Sequence, residues 1–549
     1  MPKADPQGKY RAPSVDGAET PGAAHSLTAL AIVFCALVAL HAPLLRLPYF
    51  WDEAGYFVPA ARDLLQTGDL IPHTTLSNAH PPLVMIWLAL VWKLVGFSPL
   101  VTRVAMLLVA SVGLLGYYRL ALYVANRNVA IVTVALSAIY PVIFAQSSLA
   151  QLDITVMAFY GWAIYFHLSG QTWKSVACCA CAMLTKETAI AIPLAFFALD
   201  AVSYLGWRAH PSAEQPGAEV EAPEASARLS EKKSLHRVLI PLLALVPLAL
   251  WYAYHFYRTG HVFGNPEYLR YNVGATLSPL RIAVAFVMRL WHSLGYMNLF
   301  VLTGAALVAM RLPPIKDGDT ERPRIAFRHQ AIFGLLVLAN AVQFSILGGA
   351  LLARYMVPVI PLVVMVCVST LWRRVPQWPA WCAAVALAFV AALLINPPWG
   401  IAPEDNLAYS DFVRIHQSAA RFVEQHYTRD RVLTAWPASD ELNRPFLGYV
   451  AEPHTVVHVE NFSLAQLALA AQQRDSYDIV VIFNTKYEPP GSLMRHFGPW
   501  RRLQERYFDF HSDLTALEAA QVLGGRVKWR TGSGGQWIAV IEIDKVRNG

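Results

Sequence analysis

From residue 26 to residue 395 the chain is a succession of apolar runs, many of them close to the roughly 20 residues that a helix needs to cross a hydrocarbon core. Beyond Asn396 there are none. A chain of 549 residues written this way folds as a polytopic α-helical membrane protein with a separate C-terminal part, and composition agrees: 56% hydrophobic against 15% charged residues. Those values exclude an ordinary soluble enzyme. The formal charge of +7 reads as topogenic cytoplasmic charge, with no nucleic-acid partner. Six cysteines, Cys35, Cys178, Cys179, Cys181, Cys367 and Cys382, all lie within apolar runs and read as small core residues rather than a disulfide framework or a zinc site.

Residues 1–25 are Pro/Gly/Ala-rich with Lys3, Lys9 and Arg11, and are expected to be a cytoplasmic tail before a retained first span at 26–45. An external loop, 46–80, follows, with an interfacial helix expected over 54–67. Applied to Arg119 and Arg127, the positive-inside rule puts 81–97 in or re-entering the interface and 101–124 across the membrane. The return at 129–148 then brings Gln151 and Asp153 to the face that carries Asp52 and Glu53. The run 175–205 exceeds one crossing at 1.5 Å per residue, so Lys186 and Glu187 divide it into two short helices and stand externally at the break. A Pro/Ala/Glu/Lys segment at 206–237 reads as a disordered cytoplasmic linker. The module 26–396 is expected to hold about eleven transmembrane helices. In 397–549, strand-like stretches at 431–436, 455–459, 477–483 and 536–543 alternate with helical patterns at 411–425 and 463–473, which predicts a soluble α/β domain outside the membrane. Its glycines at 532–535 read as a hairpin turn rather than a phosphate cradle.

Ionisable residues beside a membrane are costly enough to call for a reason. Asp52 and Glu53 can cap the interfacial helix, but one carboxylate suffices for that, and a partly desolvated carboxylate near a hydroxyl is a general base. His80 precedes Pro81 and Pro82, a stiff helix entry, and can donate to a hydroxyl or phosphate. Asp153 follows Gln151 at the top of a span, as a cap or a site residue. Lys186 and Glu187 read as an internal ion pair or as part of the same external set. Arg354 and Tyr355 head an inward span on the side where arginine runs against the topogenic preference, and arginine's planar fork suits a phosphate oxyanion.

The stretches FWDEAGY at 50–56, AHPPL at 79–83, AQLD at 150–153, LTKE at 184–187 and ARYMVP at 353–358 together resemble the C-type (GT-C fold) membrane glycosyltransferases, in particular the bacterial protein O-mannosyltransferase and lipid A aminoarabinose transferase group. The likeness is strong over 26–200, thinner to 396, and absent in the C-terminal domain. His80 stands where aminoarabinose transferases usually carry a lysine nearby, so the sugar and acceptor stay open. The resemblance implies a polyprenyl-phosphate sugar donor, a glycan, lipid or protein acceptor at the periplasmic face of the bacterial inner membrane, and an inverting displacement. It also implies Asp52 as base, with Glu53 and Asp153 orienting acceptor or sugar, or holding a divalent metal if one is used. Arg354 and Lys186 would neutralise the departing phosphate, and the C-terminal domain, by its position, would recognise the acceptor. The alternative class is a lipid-linked substrate transporter or a non-catalytic envelope scaffold. Transporters often show internal repeats and midplane charges, and this chain shows neither.

Overall fold

The apolar runs become helices, and the places where they break set the site. A computed structural model describes residues 23–209, 235–264, 266, 277–487, 497–508 and 510–544. The expected cytoplasmic tail lies almost wholly outside these, as does most of the expected linker at 206–237.

The first part runs α1 (Ala23–His41), α2 (Val58–Thr67), α3 (Leu83–Val95), α4 (Pro99–Val124), α5 (Arg127–Ile139), α6 (Pro141–Ser147), α7 (Leu152–Leu168), α8 (Thr172–Thr185) and α9 (Ala191–Ala209). Local chemistry fixes several starts. Ser98 accepts the Val101 N–H at 3.3 Å, with Pro99 in the first turn of α4, and Asn126 caps α5 through Val129. The helix expected over 54–67 appears as a wide turn, Glu53–Phe57, continuing into α2 and ended by left-handed Gly68. Lys186 is extended (φ −151°, ψ 126°), which stops α8 and starts the short turn Glu187–Ile190 before α9.

The second part runs α10 (Leu235–Thr259), α11 (Pro279–Leu294), α12 (Leu299–Ala309), a small hairpin β1 (Lys316–Asp317) and β2 (Thr320–Glu321), then α13 (Phe327–Ile346), α14 (Ile360–Arg374) and α15 (Trp378–Leu394). Among the described residues, five helices are long and apolar enough to cross a membrane, or seven if each bent pair is one span. The bent pairs are α5 with α6, at 70°, and α11 with α12, at 78°. Three further apolar helices, α3, α7 and α15, have 10–17 residues. The expectation of about eleven spans counts apolar runs, whereas helix length and bending decide which runs reach across.

Helix α4 lies at the centre of the bundle, between α1, α5 and α7. It approaches α7 closely because a side chain is missing where they meet. A Cβ on Gly113 would come within 2.7 Å of the Ala158 Cα.

The C-terminal part is built on a five-stranded sheet in the order β4-β3-β5-β7-β6, with β3 (Val432–Ala435), β4 (Val456–Val459) and β5 (Ile479–Phe483) parallel, and β6 (Gly525–Ser533) and β7 (Gln536–Ile543) antiparallel. Helix α16 (Ala408–His426) packs on β6 and β7. The glycine turn at 534–535, both φ positive, joins the last two strands. Strand β6 has no counterpart in the sequence reading, because five of its nine residues are polar or charged and two are glycine, so no apolar run marks it. This part is tied to the loop 46–80: the Tyr449 hydroxyl donates to the Tyr49 carbonyl at 3.0 Å, and Arg444 donates to the Thr74 carbonyl at 2.9 Å.

Gly113→Val is expected to lower the melting temperature of the detergent-solubilised protein, since forcing methyl groups into a packed contact costs about 1–3 kcal/mol. An unchanged melting temperature would show that α4 and α7 have room to separate.

Candidate active site

Trp51 turns the loop. Its φ of 48° lies in the left-handed region, where non-glycine residues are uncommon. Its ring meets Trp436 edge-on, with centroids 4.7 Å apart. Gly55 sits under the same indole, and a Cβ there would fall 2.8 Å from Trp436 Nε1. The two acidic residues that follow Trp51 part company.

Glu53 is fully buried and does not line the cavity described below. Arg103 holds both of its oxygens, Nη2 to Oε2 at 2.9 Å and Nη1 to Oε1. The N–H groups of Phe50 and Ala150 donate to Oε2 at 2.9 Å and Oε1 at 2.5 Å. Arg103 also donates from Nη1 to the Ser148 carbonyl and from Nη2 to the Pro48 carbonyl, both at 3.0 Å. Expected beside substrate, Glu53 instead fastens the loop to α4 and to the α6–α7 turn. Nor does either acid act as a helix cap: Asp52 makes no capping hydrogen bond, and Glu53 bonds back to Phe50.

Asp52 faces the other way, toward Arg354, whose Nη2 donates to its Oδ2 at 2.5 Å. Arg354 gathers four acceptors from three parts of the chain. Nη1 donates to Gln151 Oε1 and lies 3.0 Å from Glu404 Oε1, and Nε is 3.5 Å from Asp153 Oδ2. The segment carrying it is pinned by two arginines of α11. Arg289 donates to the carbonyls of Leu352 and Ala350, and Arg281 to those of Gly348 and Gly349.

Lys186 and Glu187 do not pair with each other. Lys186 Nζ donates to Asp153 Oδ1 at 2.7 Å and stands 4.3 Å from the centre of the Tyr355 ring, which stacks on Phe344. Glu187 Oε2 is 2.9 Å from His80 Nδ1. Pro82 precedes the first residue of α3, in keeping with a stiff entry.

Two functional candidates escaped the sequence reading. Glu404 and Asp405 sit in the turn between α15 and α16, both nearly fully buried. The Tyr296 hydroxyl donates to Asp405 Oδ2 at 2.6 Å, as does the Ala402 N–H at 3.3 Å, while Asp405 Oδ1 and Glu404 Oε1 accept no hydrogen bond among the described residues. Burial pushes Asp405 up to about 6 and Glu404 to about 8, the second reinforced by the carboxylates of Asp52, Asp405 and Asp153 against the pull of Arg354. The signal in the sequence was an acidic pair just past the last apolar run, the same pattern as at 52–53.

These groups line one cavity of about 1300 Å³. Asp52, His80, Asp153, Lys186, Glu187, Arg354 and Tyr355 all face it, with Gln151, Glu404 and Asp405. One wall is apolar, from Leu248, Tyr252, Met288, Trp291, Leu347 and Leu351. Another comes from the C-terminal part, through Trp436, Thr485, Lys486, Tyr487 and Trp500. No three metal-ligating side chains stand together as a metal site among the described residues, and of the cavity carboxylates Asp52, Asp153, Glu187 and Glu404 are engaged with Arg354, Lys186 or His80 and Asp405 with Tyr296.

Residues 79–213 match the family described as dolichyl-phosphate-mannose-protein mannosyltransferase. Among solved structures, ArnT from Cupriavidus metallidurans bound to undecaprenyl phosphate is similar over 94% of this chain and 98% of its own, at 16% identity and a TM-score of 0.50. The archaeal oligosaccharyltransferase AglB from Archaeoglobus fulgidus, in complex with an inhibitory peptide and a dolichol-phosphate, aligns over 94% of this chain and 74% of its own, at 12% identity and a TM-score of 0.45. No curated protein sequence matches significantly. The family match and the fold agree with the resemblance read from the motifs: the chain is similar to the GT-C-type glycosyltransferases of the mannosyltransferase and ArnT kind.

Because Arg103 and Glu53 are buried together, Arg103→Met is expected to destabilise the protein by about 3–5 kcal/mol, through the unpaired carboxylate left behind. Thermal unfolding in detergent checks this. Stability equal to wild type would mean that the pair holds nothing in place.

Proposed function

We propose that this GT-C-type chain transfers a sugar from a polyprenyl-phosphate donor to an acceptor hydroxyl or phosphate at the periplasmic face of the inner membrane, with inversion at the anomeric carbon. The observation that carries the reading is the pairing, in one cavity, of an apolar wall with a cluster of carboxylates around two cations. A lipid-linked phosphate is amphipathic in the same way. Its chain suits the wall formed by α10, α11 and the segment 347–351, and its phosphate suits Arg354 and Lys186.

Within that frame Asp52 is the base. Of the carboxylates around Arg354 it is the most exposed, with its side chain 30% exposed against 5% for Asp153 and 4% for Glu404. The acceptor oxygen attacks the anomeric carbon as its proton passes to Asp52. The bond from that carbon to the phosphate oxygen breaks, and the electron pair leaves with the polyprenyl phosphate. Negative charge grows on the phosphate, where Arg354 and Lys186 stabilise it. Asp153, bonded to Lys186 and close to Arg354, holds those two cations in register, and His80 with Glu187 forms a second donor–acceptor pair suited to sugar hydroxyls. Glu53 acts at a distance, by setting the loop that carries Asp52. The C-terminal part contributes aromatic residues to the cavity wall, which fits a share in acceptor recognition.

Asp52→Asn tests the assignment. With a polyprenyl-phosphate sugar and acceptor, its turnover is expected to drop by about 10²- to 10⁴-fold while donor binding is retained. Turnover near that of wild type would remove Asp52 from the role of base.

A further inference from the structure

Arg354 has more claimants than one cation can serve. Asp52, Gln151, Glu404 and Asp153 already surround it, and a donor phosphate would need it too. Lys186 brings a second positive charge, committed to Asp153, and Arg289 a third, 5.1 Å from the centre of the Tyr355 ring. Against them stand Asp52, Asp153, Glu404 and Asp405. Fully ionised, such a set is net negative before any phosphate arrives, and buried like charges in contact do not all ionise.

Partners decide which acid keeps its proton. Asp52 is partly solvated, Asp153 accepts from Lys186, and Asp405 accepts from Tyr296 and Ala402. Glu404 is buried in the cavity wall, and the side-chain partner it has among the described residues is the contested cation itself, its Oε1 lying 3.0 Å from Arg354 Nη1 without making a hydrogen bond. We propose that Glu404 is a positioning residue for Arg354: as the neutral acid it leaves the guanidinium to the phosphate of a lipid-linked donor, and as the carboxylate it takes that cation for itself. The inference rests on the transferase reading above.

The charged and titratable groups that face Glu404 are Arg354, Asp52, Asp153 and Asp405, with the Tyr296 hydroxyl nearby. Burial, with those three carboxylates, pushes Glu404 up to about 8 against Arg354. Asp405 is pushed up less, to about 6, with the Tyr296 hydroxyl and the Ala402 N–H opposing its burial. Protonated Glu404 leaves the site open to phosphate and ionised Glu404 closes it, so phosphate affinity is expected to fall as pH rises through about 8. One pH unit above that value the neutral fraction is about one-tenth, and apparent affinity falls with the competent fraction.

The test is binding of undecaprenyl phosphate methyl ester to the full-length protein in detergent. This phosphodiester keeps a single negative charge over the range used, so the probe itself does not titrate. Wild-type affinity is expected to fall about tenfold between about pH 7 and about pH 9, and Glu404→Gln, which mimics the neutral acid, is expected to bind equally at both. A merely structural Glu404 would not alter the pH profile. The proposal is overturned if wild-type affinity ignores pH, or if Glu404→Gln shows the same alkaline loss. Should Glu404→Gln fail to fold, Glu404→Met replaces it, and the wild-type profile alone still decides. A wild type that binds the diester at neither pH defeats the donor reading itself, whereas pH-independent binding defeats only the role given to Glu404.

Discussion

One guanidinium holds the site together. Arg354 reaches the loop after α1 through Asp52, the start of α7 through Gln151 and Asp153, and the turn after α15 through Glu404. A buried charge is tolerated only with good partners, and a planar fork of five donors can serve several acceptors at once. Lysine at this position would present a point charge and could not bind the same constellation in fixed directions.

The rest of the fold works to deliver those partners. Arg281 and Arg289 pin the segment that carries Arg354, and the break at Lys186 turns a long apolar run into two helices with a cation between them. The Glu53–Arg103 pair anchors the loop on the side away from the cavity, while Tyr449 and Arg444 of the C-terminal part grip its backbone. Contacts to Tyr49, Gly55 and Thr74 therefore link the C-terminal part to the position of Asp52. A change in either anchor should reach the cavity through the loop rather than through direct contact.

Much of the architecture was legible from the chain. Period and hydropathy placed the apolar helices, and four of the five sheet strands fall within or beside the stretches marked by alternating or apolar patterning. The span count was less so, since hydropathy reports that a run is apolar, not whether it bends, as it does near Pro141 and near Asn298. The site showed the same division. Asp52, His80, Asp153, Lys186, Glu187, Arg354 and Tyr355, which line the candidate cavity, stand out in the sequence because charge beside apolar runs is expensive and conspicuous. Glu404 and Asp405 were passed over because they fall where the chain turns polar and acids look ordinary.

What the sequence determined by itself was a membrane helix bundle with a set of ionisable groups at the ends of its runs. Hydrophobicity and charge are properties of single residues, and these features follow from them directly. Tertiary structure alone decided the pairing: that Lys186 meets Asp153 and not its neighbour, that Glu187 meets His80, and that adjacent acids at 52 and 53 serve opposite faces of one loop. Partners of a buried charge are set by which distant segments pack around it, and the chain's linear order carries no record of that.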